Sequence, residues 1–116
     1  MSKDKGCCSK EMTHCSDVCL ECNKVCVETA KTYATKGSKY AEVTKKMQEC
    51  AQTCQTCADC CLAGSKDCKT TCEACAKVCE ACAEACDQFS EPELKKCAEV
   101  CRRCAQVCGT VHAVAA

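Results

Sequence analysis

The chain has 116 residues, including 21 cysteines, and its 16 Lys and Arg residues are balanced by 16 Asp and Glu residues. Charge balance leaves no basic patch for nucleic acid, three aromatic residues are too few for a single-strand stacking platform, and no apolar run approaches the length of a membrane span. Leu, Val and Phe together number 13 and Ile is absent, so buried cysteines, which behave as small hydrophobes, have to form most of any core.

Residues 1–8 form a short polar lead that ends in Cys7-Cys8, and residues 9–116 are predicted to form a single domain. The lead lacks the apolar region of a signal peptide. The number of cysteines is odd, and a disulfide between thiols four residues apart on one helix would be strained. We therefore expect reduced thiols in a reducing compartment, the cytoplasm.

The first helix is predicted from about Ser9 to about Thr35, followed by a turn at residues 36–38. In this turn Gly37 suits the left-handed position after a helix, and Ser38 suits the cap of the next helix. The cysteines of the first helix are spaced by four, three and four residues, which places them on one helical face. They are Cys15, Cys19, Cys22 and Cys26.

The second helix, from about Lys39 to Ala63, carries the same spacing but begins its buried stripe with larger residues. The members of this stripe are Tyr40, Val43, Met47, Cys50, Cys54, Cys57 and Cys61, with Cys60 beside them. Gly64-Ser65 then repeats the glycine–serine signal for a helix end.

The third helix contains the longest cysteine series, and no proline or glycine interrupts it. Its stripe is Cys68, Cys72, Cys75, Cys79, Cys82 and Cys86, and Phe89 continues it. Pro92 within the segment 90–93 predicts the start of the fourth helix. The stripe of that helix is Leu94, Cys97, Cys101, Cys104, Cys108 and Val111, with His112 beside it.

The pattern Cys-x3-Cys-x2-Cys-x3-Cys occurs once in each of the four helices, and the connections are short. Short connections place consecutive helices antiparallel, so the predicted fold is all-α: an up-down-up-down four-helix bundle with a cysteine-lined core. This topology collects the large apolar residues at one end, here called the apolar end: Tyr33, Tyr40, Val43, Met47, Phe89 and Leu94. The opposite end, here called the thiol end, collects Cys7, Cys8, Met12, Cys15, Cys60, Cys61, Cys68, Cys108 and His112.

A single buried cysteine is usually a packing residue, but four complete stripes of them indicate a soft metal. Tetrahedral Zn(II) with four thiolates leaves two negative charges per site, and no Lys or Arg lies in register to offset them. Cu(I) takes two or three thiolates, each of which can bridge two ions, so a core filled with Cu(I) is nearly neutral. The sequence thus predicts multiple Cu(I) ions, about one per thiol and on the order of 20 at saturation.

The predicted metal ligands are the cysteines of the four stripes together with flanking soft ligands. They are Cys8, Met12, Cys15, Cys19, Cys22, Cys26, Cys50, Cys54, Cys57, Cys60, Cys61, Cys68, Cys72, Cys75, Cys79, Cys82, Cys86, Cys97, Cys101, Cys104, Cys108 and His112. Met12 has the alternative role of filling a gap in the core, and His112 that of a cation at a helix C-terminus. No catalytic residue is predicted.

The four repeated motifs and the glycine–serine turns resemble the bacterial copper storage proteins, in particular their cytosolic branch, over roughly Cys8 to His112. This resemblance implies high-capacity Cu(I) storage by inward-facing cysteines and a homo-oligomer, a tetramer of bundles. It also implies that copper enters at one end of the bundle through soft Met and His ligands. By position that role falls to Met12 and His112.

Two other metal functions remain open from the residues alone. One is metallothionein-like sequestration of Zn(II) or Cd(II), and the other is a carrier that hands Cu(I) to a copper chaperone. Thiol–disulfide exchange is disfavoured because the Cys-x2-Cys pairs lie in mid-helix, and an iron–sulfur site is disfavoured because the ferredoxin Cys-Pro run is absent.

Overall fold

The computed structural model describes the backbone of residues 9–64 and 68–115 and the side chains of residues 14–64 and 68–109. Within these ranges the chain forms four long helices and one short turn of 3₁₀ helix. The long helices are α1 (Ser9–Tyr33), α2 (Ala41–Ala63), α3 (Cys68–Cys86) and α4 (Pro92–Ala115), and the 3₁₀ turn is Ser38–Tyr40. The predicted all-α four-helix fold is therefore confirmed.

The helices lie side by side as a ring, in which α1 and α3 each pack against both α2 and α4. Consecutive helices run antiparallel. The bundle is elongated along the helices, with extents of 50 × 19 × 18 Å. Each helix turns its cysteine stripe toward the axis and its Lys, Glu and Gln residues toward solvent. Within the described residues, no helix combines the length and apolarity needed to cross a membrane.

The turns at Gly37 and Gly64 differ from each other, and only the second follows the prediction. Gly64 takes the left-handed conformation at the C-terminus of α2, with φ 66° and ψ 34°. Gly37 has φ 106° and ψ 170° and precedes the 3₁₀ turn, so it does not close α1 as a left-handed residue. Ser38 makes no capping bond to α2, because the 3₁₀ turn intervenes and Tyr40 occupies the position before that helix.

The apolar end forms as predicted, through contacts between aromatic rings from three segments. The ring centroids of Tyr33 and Tyr40 are 4.8 Å apart, and those of Tyr40 and Phe89 are 5.1 Å apart. Although Phe89 lies beyond the end of α3, it still packs on the stripe as expected. Met47 and Leu94 are fully buried beneath these rings, so this end of the bundle is filled by large side chains.

Two tyrosine hydroxyls fasten the α1–α2 connection to the start of α4. The Tyr33 hydroxyl donates to Glu93 Oε1 at 2.9 Å, and the Tyr40 hydroxyl donates to the Glu91 carboxylate. Burial, together with the bond to Glu93, raises the pKa of Tyr33 to about 12. These bonds link both connections at the apolar end of the bundle.

Candidate metal centre

The core of the bundle is made almost entirely of thiols. Every described cysteine is unpaired, and every one except Cys60 is buried. The buried cysteines are Cys15, Cys19, Cys22, Cys26, Cys50, Cys54, Cys57, Cys61, Cys68, Cys72, Cys75, Cys79, Cys82, Cys86, Cys97, Cys101, Cys104 and Cys108. The predicted inward orientation of all four stripes follows from the four-three-four spacing, which keeps each helix in register with the bundle axis.

At the thiol end, sulfurs from three helices meet. Cys61 Sγ lies 3.3 Å from Cys68 Sγ and 3.8 Å from Cys72 Sγ. Cys72 Sγ is in turn 3.5 Å from Cys57 Sγ and 3.9 Å from Cys15 Sγ. The connection between α2 and α3 therefore places the last stripe cysteine of one helix beside the first of the next.

In the middle of the bundle, all four helices contribute sulfurs to one continuous network. Cys19 Sγ lies 3.6 Å from Cys108 Sγ and 3.7 Å from Cys104 Sγ. Cys104 Sγ is 3.9 Å from Cys54 Sγ, which is 3.8 Å from Cys75 Sγ. These contacts span both neighbouring and diagonal helices.

The network continues toward the apolar end as far as Cys97. Cys50 Sγ is 3.6 Å from Cys79 Sγ and 3.8 Å from Cys101 Sγ. Cys26 Sγ is 3.7 Å from both Cys101 Sγ and Cys97 Sγ. Cys82 and Cys86, the last two cysteines of the α3 stripe, are also fully buried.

Several groups of four sulfurs have all members within 4.8 Å of one another. They include Cys15, Cys19, Cys57 and Cys108; Cys15, Cys57, Cys61 and Cys72; Cys19, Cys75, Cys104 and Cys108; Cys22, Cys50, Cys54 and Cys79; and Cys22, Cys26, Cys50 and Cys101. Many sulfurs belong to two groups, as Cys15, Cys19 and Cys22 do. The core is therefore a connected lattice of donors rather than a set of separate four-thiol sites.

The sulfur separations suit soft metal ions. A metal–thiolate bond is about 2.3 Å long, so three sulfurs around one ion lie about 4.0 Å apart. The sulfur contacts described above range from 3.3 to 4.0 Å. Only small outward movements of the thiols would be needed to admit ions between them.

The charged residues in the described part of the chain lie at the surface of the bundle. Every described Lys, Arg, Asp and Glu is at least partly exposed. The ion pairs join surface residues, such as Arg103 with Glu21 at 3.5 Å. The charge of any thiolates in the core can therefore be balanced only by bound cations.

The thiols titrate as a coupled network, because they donate hydrogen bonds to one another. The bond from Cys108 lowers the pKa of Cys15, whereas the bond to Cys104 raises the pKa of Cys54, and burial raises it further. Neighbouring thiols therefore cannot all ionise in the absence of a cation. A metal that binds here has to displace protons, which makes its affinity dependent on pH.

Of the four remaining predicted ligands, one is half-buried and three have side chains outside the described ranges. Cys60 is half-buried, and its Sγ lies 3.6 Å from the Thr71 hydroxyl. Cys8 lies outside the described residues. Met12 and His112 lie in α1 and α4, but their side chains are outside the described ranges.

The sequence prediction missed the polar contacts that surround the core. These are the bond from Thr71 to Cys60 and the tyrosine–glutamate bonds at the apolar end. The tyrosine–glutamate bonds could have been anticipated from the antiparallel topology, because it brings residues 33–40 and 90–94 to the same end of the bundle. The Thr71 contact could not, since it depends on the relative rotation of α2 and α3.

A protein family and several solved structures are similar to this chain in sequence and fold. The model of the copper storage protein family matches residues 1–113. The Nmul_A1745 protein of Nitrosospira multiformis, known from its crystal structure, is 32% identical, with a TM-score of 0.82 over 90% of this chain and 96% of its own. The metal-free form of copper storage protein 3 from Bacillus subtilis is 25% identical, with a TM-score of 0.81 over 85% of this chain and 96% of its own.

A third solved structure, the Cu(I)-bound copper storage protein BsCsp3, is 24% identical and shares the fold, with a TM-score of 0.83 over 88% of this chain and 98% of its own. Among curated proteins, no significant match was found. The family is one of metal-sequestering proteins that turn over no substrate, which confirms the prediction of a protein that is not an enzyme. Because the family model spans nearly all of the sequence, the chain belongs to the copper storage protein family.

Proposed function

We propose that this protein stores Cu(I) at high capacity, with about one ion per cysteine and bridging thiolates along the bundle axis. The observation that carries this proposal is the sharing of sulfurs between neighbouring four-thiol groups. Shared donors suit an ion that accepts bridging thiolates in two- or three-fold coordination. Because sulfur contacts connect Cys61 with Cys97 through all four helices, ions can occupy this whole length.

Charge distinguishes Cu(I) from Zn(II) in this core. Four-thiolate Zn(II) sites would each leave two buried negative charges, and no described cation lies near enough to offset them. One Cu(I) per thiolate leaves the core close to neutral. Zn(II) or Cd(II) sequestration remains the second candidate, because groups of four sulfurs match the tetrahedral coordination of zinc.

We further propose that copper enters at the thiol end, with Met12 and His112 as the first ligands. In support, Cys61 and Cys68 at this end are the described core cysteines with measurable exposure, 5% and 1%. At the opposite end, the stacked rings of Tyr33, Tyr40 and Phe89 cover the core. An ion that arrives at the thiol end can then move between sulfurs less than 4 Å apart.

The remaining parts of the proposal concern the compartment, the oligomer and the partner. We propose a cytoplasmic homotetramer that exchanges Cu(I) with a copper chaperone. Some support for self-association comes from Leu20 and Val27, which lie seven residues apart on α1 and are 38% and 37% exposed. Beside Val27, a groove of about 430 Å³ between α1 and α2 is lined partly by Ala30, Ala34 and Ala51.

The test is an anaerobic titration of the reduced protein with Cu(I) in competition with a high-affinity Cu(I) chelator, followed by elemental analysis. We expect tight uptake that approaches one copper per cysteine. A plateau at a few ions would instead indicate a carrier. A preference for zinc at one ion per four thiols would establish the second candidate and contradict storage of copper.

A further inference from the structure

One pair of thiols at the thiol end differs from the other described core thiols in two independent ways. The Cys61–Cys68 contact, at 3.3 Å, is the shortest sulfur–sulfur distance given by the described residues. The same two residues are also the only described core cysteines with any solvent exposure, 5% and 1%, while the others have none. The closest pair is therefore also the pair that a small oxidant can reach.

Geometry favours a disulfide between these two sulfurs over one between other neighbours. Cys61 ends the stripe of α2 and Cys68 begins α3, so the bond would join two helices rather than two turns of one helix. Neighbours within one helix, such as Cys15 and Cys19 at 3.9 Å, are farther apart. A disulfide requires sulfurs about 2.05 Å apart, so Cys61 and Cys68 need the smallest movement.

Other close pairs between helices are shielded from solvent. Cys15 and Cys108 are 3.5 Å apart, as are Cys57 and Cys72, but all four side chains have 0% exposure. Oxidation of a thiol depends on access of the oxidant to sulfur. These pairs are therefore protected as long as the bundle is folded.

We propose that Cys61 and Cys68 form a reversible disulfide when the metal-free protein meets a peroxide. One sulfur attacks an oxygen of hydrogen peroxide, which leaves a sulfenic acid and releases water. The second sulfur then attacks the sulfenic sulfur, forms the S–S bond and expels a second water. Overall, two thiols and one hydrogen peroxide give one disulfide and two waters, and a dithiol reductant reverses the oxidation.

The consequence for copper rests on the proposed storage function. The disulfide removes two thiolates from the end at which copper enters, so capacity falls by about two ions. It also ties α2 to α3 at that end. Copper-free protein would thus take up about two fewer ions under oxidising conditions and regain the full number on reduction.

The test begins with reduced, metal-free protein treated anaerobically with one equivalent of hydrogen peroxide, quenched with catalase and alkylated in denaturant. The disulfide is then located by tryptic peptide mapping, because trypsin cleaves after Lys66 and Lys69 and releases Cys68 on the peptide 67–69. We expect this peptide to be disulfide-linked to the peptide 47–66, which contains Cys61, and the link to disappear in Cys61→Ser.

The matched control is Cys60→Ser, because Cys60 lies on the same peptide and is more exposed. We expect the link to persist in this variant. A link lost in Cys60→Ser but kept in Cys61→Ser would overturn the proposal, and so would oxidation spread over other cysteines. Circular dichroism on both variants verifies that the metal-free bundle is folded.

Copper uptake is then measured separately on oxidised and re-reduced wild-type protein by native mass spectrometry. We expect about two fewer ions in the oxidised form and full recovery after reduction. Equal uptake by the two forms would refute the link between oxidation and storage. If even the never-oxidised protein took up no Cu(I), the storage function would fail, whereas the disulfide map would still decide the assignment of the pair.

Discussion

The replacement of Cys54 by alanine separates the two roles that a core thiol can have, packing and metal binding. Cys54 is fully buried at the centre of the bundle, and four other sulfurs lie within 4.0 Å of its own. Its matched control is Met47→Ala, because Met47 lies on the same stripe of α2 and is equally buried but contacts the apolar end. We expect Cys54→Ala to lose mainly bound copper and Met47→Ala to lose mainly stability.

The expected loss of stability in metal-free Cys54→Ala is small. Removal of one buried heavy atom costs about 0.8 kcal/mol of transfer free energy. A residual cavity of about 20 Å³ adds about 0.5 kcal/mol. The free energy of unfolding should therefore fall by about 1–1.5 kcal/mol. Met47→Ala deletes a larger side chain and should cost about 2–5 kcal/mol.

The expected loss of bound copper is larger in Cys54→Ala than in Met47→Ala. Cys54→Ala removes a bridging donor and should lower the number of bound Cu(I) ions by about one or two, whereas Met47→Ala should leave that number unchanged. Urea denaturation of the metal-free proteins measures stability, and native mass spectrometry counts copper ion by ion. A Cys54→Ala protein that lost several kcal/mol and bound the full complement of copper would show that this thiol is a packing residue.

Three further predictions concern protons, alkaline stability and association. Copper loading at neutral pH should release about one proton per thiol bound, measurable in a pH-stat, and uptake should weaken as pH falls; loading without proton release would contradict a core of protonated thiols. The pKa of Tyr33 is raised above its unfolded value of about 10, so its stabilising contribution is complete below pH about 10 and is lost as pH rises through about 12. In Tyr40→Phe, where Tyr33 is the one tyrosine of the chain, ultraviolet absorbance should show this late ionisation, and a tyrosine that titrates near pH 10 instead would contradict the buried bond to Glu93. Leu20→Lys with Val27→Lys should shift the protein to monomer in light scattering with helix content preserved, and an unchanged mass would place the interface elsewhere.

The sequence allowed the helices and the buried stripes to be predicted because one residue type marks the core without ambiguity. Cys54 and Cys104 lie on different helices, yet the spacing around each already indicates an inward-facing position. Most bundles mark such positions with a mixture of apolar residues that also occur at flanking sites. Here the contrast between cysteine and charged residues made the register unambiguous.

The flanking contacts could not be predicted in the same way. Ser16 is 1% exposed although it lies beside the stripe, and the Asn23 amide donates to the Ala51 carbonyl at 2.7 Å. Both depend on how closely α1 approaches α2, which small side chains such as Ala51 permit. The sequence did not predict the 3₁₀ turn after Gly37 either. The same glycine–serine pair occurs at both turns, but Gly64 ends α2 in the left-handed conformation, whereas Gly37 precedes a 3₁₀ turn.

The separation of large apolar residues from thiols explains how a core of small side chains can keep one register. The rings of Tyr33, Tyr40 and Phe89 fix the heights of α1, α2 and the segment after α3 at one end. Helices are stiff, so this register carries along the bundle and brings contacting sulfurs to 3.3 to 4.0 Å from one another. Those separations are at most about 0.7 Å shorter than the spacing of about 4.0 Å that three sulfurs take around one ion with metal–sulfur bonds of about 2.3 Å.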